Sequence, residues 1–455
     1  LKKRILFLGV GGIGVSALAI AAKKLGAEVS GYDTKPSKIT AKLVQKGINL
    51  YLSLDEVAVE NYDMLVFSSA VSQKTPLILK AKELNIPTLQ RAMFLAVLMK
   101  DFKQSIAVTG THGKTTVSSV LATLLHHLDS KSSFVVGGIV KATGSNIEIN
   151  GSGFLVLEAD ESDASFLHLK PQAAIVTNID LDHMATYNNS YDNLLENFYE
   201  FLNKSSIETI FLCIDDKGCQ DLLSKYSQLY SKKVITYGFS KKADINILSY
   251  EIKDDFNCFK VKFPSGEELD FKTILPGKYN ALNCSVAIAC CKEQGFDLKS
   301  LQTLLPEVQG VGRRFDIYKI NINEINIDAI DDYGHHPVEV SSCLQAVKDK
   351  YPNKKIIHIF QPHRYSRNKD LFDSWKAVLS TADKLFLLPT YAAGEEEILG
   401  ATSKDLAVGL SNCLLVNDFE HVKEELKNVV DKNSVILIQG AGDVTNLIDL
   451  LSNEK

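Results

Sequence analysis

The feature that most restricts how this 455-residue chain can fold is a glycine-rich run set between an apolar strand and a helical pattern. Ser105-Ile106-Ala107-Val108 reads as a buried strand, and Thr109-Gly110-Thr111-His112-Gly113-Lys114-Thr115-Thr116 follows it directly. Such a loop wraps backbone N–H groups around phosphates, while a lysine reaches the terminal phosphate and a hydroxyl holds Mg2+. Gly110 sits too close to Gly113 for the standard G-x4-G-K-[ST] spacing. Gly-Lys-Thr-Thr after a strand and before a helix nevertheless specifies a phosphate site. It also demands an open α/β sheet, with ligands outside the carboxyl ends of the strands.

A second glycine turn lies near the start of the chain. Gly9-Val10-Gly11-Gly12-Ile13-Gly14 joins a strand at Ile5–Gly9 to a helix that places Ile13, Ala17, Leu18, Ala21 and Leu25 on one face. Asp33 closes the next strand, Val29–Tyr32. This is the dinucleotide fingerprint, in which missing side chains admit a pyrophosphate and the acidic residue accepts from a ribose. The physics requires only a nucleotide diphosphate, so NAD and a UDP-sugar both remain open. Two phosphate sites in consecutive units weigh against a plain dehydrogenase, which leaves Lys114 idle. A non-catalytic nucleotide-binding regulator is a further alternative.

Strands alternating with helices continue through Met64–Phe67, Phe154–Leu157, Ala174–Thr177, Ile325–Ala329, Lys355–Phe360, Lys384–Leu388 and Ser434–Ile438. This rhythm predicts an α/β fold of three domains: a Rossmann-like N-terminal domain, a P-loop-type central ATPase domain with a mostly parallel sheet, and a Rossmann-like C-terminal domain. The boundaries fall at 1–103, 104–312 and 313–455. Ile245–Phe271 reads as antiparallel material because turns interrupt it without a helix signal.

Acidic residues cluster at two strand ends after the phosphate loop. They are Glu158-Ala159-Asp160-Glu161-Ser162-Asp163 and Asn178-Ile179-Asp180-Leu181-Asp182-His183. Beside a phosphate loop, such oxygen donors suit Mg2+. Asn280 and Asn283, one turn apart at a helix start, can read an adenine edge. In the last domain, Asp331-Asp332-Tyr333-Gly334-His335-His336-Pro337 and Gln361-Pro362-His363-Arg364-Tyr365-Ser366-Arg367 each follow a strand. Arg364 and Arg367 there form a candidate carboxylate clamp.

Fifty basic against 55 acidic residues give a net charge of -5, which argues against non-specific binding to nucleic acid or anionic lipid. No apolar run approaches the ~20 residues of a membrane span, so stable membrane association is not expected. The N-terminal Leu1–Leu8 segment reads as a strand rather than a signal peptide. The eight cysteines form no Cys-x-x-Cys pair, as expected for free thiols in a cytoplasmic protein.

Together, these motifs and their order closely resemble the Mur ligases of peptidoglycan synthesis over nearly the whole chain. The resemblance rests on Gly-Thr-His-Gly-Lys-Thr-Thr, Glu-Ala-Asp-Glu-Ser-Asp-Ala-Ser-Phe (158–166), Asp-His-Met (182–184), Asp-Tyr-Gly-His-His-Pro (332–337) and Gln-Pro-His-Arg-Tyr (361–365). It implies ATP and Mg2+, and amide formation between L-alanine and the lactyl carboxylate of UDP-N-acetylmuramate through an acyl phosphate. A recycling ligase that attaches a preformed peptide to the same sugar nucleotide is the alternative. The family's pattern implies Gly11, Gly12, Ile13, Gly14, Ser16, Asp33, Ser69 and Arg91 for the UDP-sugar. For ATP it implies Gly110, Thr111, His112, Gly113, Lys114, Thr115, Thr116, Asn280, Asn283, Arg314 and Asp332. Thr115, Glu158 and His183 are the implied metal contacts, and Tyr333, His335, Arg364 and Arg367 the amino-acid side. Lys114 and Arg314 are expected to neutralise the moving phosphoryl group, and His335 to act as base. Tyr279 stands where the family commonly has histidine. No lysine lies between His183 and Lys204, which fits alanine addition rather than siblings that use a carbamylated lysine there.

Overall fold

The computed structural model describes residues 2–68 and 70–452. It contains three sheets, carried by two compact units. The first unit comprises residues 1–249, 260–271 and 282–311; the second comprises 250–259, 272–281 and 312–455.

The first sheet of unit one is wholly parallel, in the order Asn49–Tyr51, Glu28–Tyr32, Arg4–Leu8, Met64–Phe67, Thr88–Gln90. Ile5 through Leu8 are completely buried, as expected of a central strand covered by helices on both faces. The chain leaves this strand first toward one side of the sheet and later toward the other. The glycine turn 9–14 therefore lies at the reversal point, where such sheets bind ligands. Arg91–Leu98 is helical and a short 3-10 turn follows, Met99–Asp101.

In the second sheet, Gln104–Thr109 pairs in parallel with Ala173–Val176 on one side and Phe154–Glu158 on the other. Thr209–Cys213 and Lys233–Gly238 extend the first side, again in parallel. Ser133–Val140 extends the second in parallel, and Ser145–Glu148 folds back on it antiparallel. The phosphate loop leaves the middle of this sheet and enters the helix Lys114–Leu128, ten of whose residues are buried. The predicted turn-broken stretch contains the strands Ile245–Lys253, Phe256–Lys262 and Glu268–Thr273. The first of these begins parallel to Lys233–Gly238, through Tyr237 opposite Ile245.

Unit two carries the third sheet, in the order Asp316–Ile322, Ile325–Asp332, Ser434–Gln439, Lys355–Phe360, Lys384–Leu387, Cys413–Leu415. Only the first pair is antiparallel. One face packs on Val340, Leu344, Trp375 and Leu379, the other on Val422, Leu426, Leu447 and Ile448. Among the described residues, no helix is long and apolar enough to cross a membrane.

Candidate active site

The phosphate loop is braced from the neighbouring strand end. Asn178 accepts from Thr111 N at its carbonyl (3.1 Å) and from His112 N at Oδ1 (2.8 Å), and its amide donates back to His112 O at 2.9 Å. Thr177 Oγ1 donates to the same carbonyl at 2.6 Å. Gly110 must be glycine: φ is +123°, and a Cβ would sit 2.3 Å from Thr177 Oγ1. At Gly113, with φ +83°, a Cβ would lie 3.2 Å from Asn283 Oδ1. The structure therefore brings Asn283 to the loop. Asn280 Nδ2 donates to Pro276 O at 2.6 Å, within the other unit.

Lys114 points back into its own loop. Its Nζ donates to Gly110 O (2.6 Å), Thr111 O (3.1 Å) and Glu161 Oε1 (2.9 Å), and lies 2.8 Å from Glu161 Oε2. Glu161 is only 3% exposed. Burial dominates its titration and pushes the carboxyl up to about 7, against the pull of Lys114. Burial also opposes the charge on Lys114, but Glu161, Asp160 and Glu158 outweigh it and raise the ammonium pKa.

Of the three proposed metal contacts, two meet. Thr115 Oγ1 donates to Glu158 Oε1 at 3.0 Å, and Gly137 N–H holds Oε2 at 2.9 Å. Oxygen donors so placed fit a hard cation such as Mg2+. His183 Nε2 lies 3.4 Å from Asp182 Oδ2, and its backbone takes the left-handed φ of 54°. Thr116 is buried in the helix.

At the glycine turn, Gly9 has φ +72°. Asp33 Oδ2 accepts from Gly11 N at 2.7 Å, so this carboxylate shapes the turn itself. Ser16 is buried and its hydroxyl donates to Ile13 O. Gly12 and Ile13 are exposed. Arg91 lies against Gly14, where a Cβ would be 2.9 Å from Nη1, and its Nη2 is 3.8 Å from Asp160 Oδ2. Ser69 lies outside the described residues.

In unit two, Asp332 is buried and accepts from Phe315 N, Gly334 N and Gln439 Nε2 at 3.2, 2.9 and 2.7 Å. Burial raises its pKa and Arg314 opposes that rise. Arg313 and Arg314 sit 5.0 and 5.3 Å from the Tyr333 ring centroid, a cation–π arrangement. Tyr333, His335, His363 and Tyr391 form a chain of ring contacts, with centroids 5.3, 5.8 and 5.5 Å apart. His335 is lowered to about 4, mainly by burial, with Glu339 opposing and Arg367, Arg314 and His363 assisting. Burial, then Arg367 and Arg364, lower His363 to about 4 as well. Arg367 is buried and turns its Nη1 to His363 Nδ1 at 3.4 Å. Arg364 is exposed, and Tyr391 O accepts its N–H at 2.9 Å. Its φ of +71° is strained for a residue with a Cβ; such strain clusters at functional loops. Tyr279 packs against the core of this unit, which accounts for an aromatic side chain at that position.

Glu161 and Asn178 stand within the two strand-end runs, but their pairing with Lys114 and with the loop does not show in the sequence; Gly137, the anchor of Glu158, carries no local signal.

A phosphate loop beside a carboxylate–hydroxyl pair is the equipment of an enzyme that works on nucleotide phosphates. Family models cover most of the chain. The Mur ligase family catalytic domain matches residues 4–103, the Mur ligase middle domain 108–291, and the Mur ligase glutamate ligase domain 313–442. The chain belongs to the Mur ligase family. It is 58% identical over 451 residues to the UDP-N-acetylmuramate–L-alanine ligase of Francisella philomiragia subsp. philomiragia, covering 99% of this chain and 100% of that one. The protein of the same name from Francisella tularensis subsp. novicida is 58% identical over 452 residues, with 99% and 100% covered. Among solved structures, the UDP-N-acetylmuramate-alanine ligase of Thermotoga maritima matches with a TM-score of 0.77 at 29% identity, covering 99% and 98% of the two chains. A murein peptide ligase from Psychrobacter arcticus shares the fold, with a TM-score of 0.70 at 20% identity and 100% and 99% covered.

Proposed function

We propose that this chain joins L-alanine to the lactyl carboxylate of UDP-N-acetylmuramate at the expense of ATP, in cytoplasmic peptidoglycan precursor synthesis. The full-length 58% identity to ligases of that name carries the reading. The γ-phosphoryl group passes to a carboxylate oxygen, giving ADP and an acyl phosphate. The neutral amine of alanine then adds to the carbonyl, and inorganic phosphate leaves from the tetrahedral intermediate as the amide forms.

Each step is assigned to particular residues of this chain. The main-chain N–H groups of the loop 110–116 cradle the phosphates. Lys114 exchanges part of its contact with Glu161 for the terminal phosphate, and Arg314 adds a second cation where charge develops. Thr115 and Glu158, with His183, would hold Mg2+, which when bound neutralises phosphate charge and polarises the γ-phosphoryl group. Asn280 and Asn283 are assigned to adenine, and Asp332 to the ATP side. The glycine turn, Ser16, Asp33, Ser69 and Arg91 are assigned to the UDP-sugar. Arg364 and Arg367 take the alanine carboxylate and Tyr333 walls its side chain. His335 is assigned as the base; burial keeps it neutral but also weakens it, so the anionic substrates must raise its pKa before it accepts the ammonium proton.

The peptide-recycling reading is the weaker one, since the murein peptide ligase match stands at 20% identity. Phosphate release measured with L-alanine and with the preformed tripeptide as acceptors separates the two. Preference for the tripeptide would overturn the proposal.

A further inference from the structure

The hairpin of Ser133–Val140 and Ser145–Glu148 touches both glycine-rich turns of unit one, and apart from Gly137 holding Glu158 it has no role so far. On one strand, Asn146 Nδ2 donates to Ile13 O in the glycine turn at 3.4 Å. On the other strand, within the shifted stretch that faces Asn146, Gly137 N–H holds Glu158 Oε2 at 2.9 Å, leaving Oε1 to Thr115. A Cβ on Gly137 would lie 2.8 Å from Glu158 Oε2. One on Gly138 would lie 2.5 Å from Val311 Cγ1 and 3.1 Å from Thr115 Cγ2. The two glycines thus allow an approach that any side chain would block. Between Val135 and Val140 the pairing register shifts, and such irregularities re-aim a strand locally. A cavity of about 170 Å3 runs along this hairpin, lined by Gly14, Arg91, Gly137, Asn146, Glu158 and Asp160. Whatever fills it touches the glycine turn and the Glu158 carboxylate together.

We propose that Asn146 and Gly137 are positioning residues: they make the hairpin couple occupancy of the glycine turn to the orientation of Glu158 at the metal end of the ATP site. This rests on reading the turn as the sugar-nucleotide loop and Glu158 as a metal ligand. A ligand pressed against Gly14 and Arg91 moves Ile13 and the amide of Asn146, and the hairpin carries that shift to the Gly137 N–H. Linkage makes the effect reciprocal, so each ligand tightens the other by the same factor.

The test is calorimetric binding of a non-hydrolysable ATP analogue with Mg2+, in the presence and absence of UDP-N-acetylmuramate. The wild-type protein is expected to bind the analogue at least about fivefold more tightly when the sugar nucleotide is present, and the converse titration to give the same factor. Asn146→Ala should bring the coupling factor near one, whatever it does to each separate affinity. Gly137→Ala should raise the Mg2+ half-saturation by roughly tenfold, as loss of a group orienting a metal ligand does, without changing analogue binding in the absence of Mg2+. Asn146 is only partly buried, so its variant decides the matter even if Gly137→Ala does not fold. Full coupling in Asn146→Ala, or none in the wild type with both ligands bound, would overturn this proposal alone. Failure of UDP-N-acetylmuramate to bind the wild type would overturn the underlying function with it.

Discussion

Replacing Lys114 with methionine removes an ammonium whose three donors are taken by Gly110 O, Thr111 O and the Glu161 carboxylate. Two separable losses follow. Turnover should fall by about 10²–10³, the usual consequence of deleting one preorganised charge at a reacting group. Stability should fall too, because Glu161 is 3% exposed and loses its counter-ion. Its carboxyl already stands at about 7 with Lys114 beside it, so without that pull it rises further, while in the unfolded chain it titrates near ~4.3. A carboxyl raised in the fold binds its proton more tightly there. The variant's stability is therefore intact at or below about pH 4 and declines by roughly 1.4 kcal/mol per pH unit as pH rises toward the folded pKa. At pH 8 the loss should reach about 3–5 kcal/mol, the cost of breaking a buried pair. Lys114→Met/Glu161→Gln removes both charges, so it should recover most of the stability and none of the turnover. Urea unfolding at pH 6, 7 and 8, with phosphate-release kinetics on the same samples, measures both. Recovery of turnover in the double variant would show that Lys114 only balances Glu161, and would refute its placement at the phosphate.

Gly14→Ala drives a Cβ to within 2.9 Å of Arg91 Nη1, the far end of a flexible side chain; the guanidinium must swing aside, which should raise the KM for UDP-N-acetylmuramate and leave that for ATP alone. Gly12→Ala, whose Cβ meets only Gly9 O at 3.4 Å, should leave the fold undisturbed and raise the same KM by crowding the pyrophosphate; an unchanged KM would remove Gly12 from the site. Arg364→Ala should raise the KM for L-alanine far more than that for ATP, with part of the loss persisting in Arg364→Lys because a point charge lacks the bidentate fork; an unchanged alanine KM would reduce Arg364 to a surface charge. His335, His358 and His363 are lowered to about 4, 3 and 4, in each case first by burial. Each favours the neutral folded form, so stability is full above about pH 6.5 and falls as pH drops toward 4, at roughly 1.4 kcal/mol per unit per histidine. His358→Leu should remove about a third of that slope in urea unfolding between pH 6 and 4.5, and an unchanged slope would show that His358 does not titrate as burial dictates.

The parts that chemistry writes locally were readable in the sequence. A strand, a glycine turn and a helix start are contiguous, so Gly9–Gly14 and Gly110–Thr116 could be assigned to phosphates without a fold. An acidic run at a strand end marked Glu158 as a candidate in the same way. Partnerships across the sheet were not readable, because they depend on strand order. Asn178 braces the loop only because Ala173–Val176 pairs with Gln104–Thr109. Glu161 meets Lys114 because Phe154–Glu158 flanks the same strand on its other side. Gly137 lies in a hairpin whose sequence, Val-Val-Gly-Gly-Ile-Val, reads only as a strand weakened by glycines. Asp33 was legible as a ribose acceptor, but the fold gives it the Gly11 N–H first. Arg364 and Arg367 were legible as a pair, but one is exposed and the other is buried against His363.

In the proposed reaction the lactyl carboxylate is phosphorylated and then taken by L-alanine. Labelling both oxygens of that carboxylate with oxygen-18 follows each atom. One oxygen accepts the γ-phosphoryl group and departs with it, and the other stays as the amide carbonyl. Mass spectrometry of the products should find one oxygen-18 in each released phosphate and one in the UDP-N-acetylmuramoyl-alanine, both dependent on added L-alanine. Unlabelled phosphate, or amide formed only with a peptide acceptor, would exclude this route.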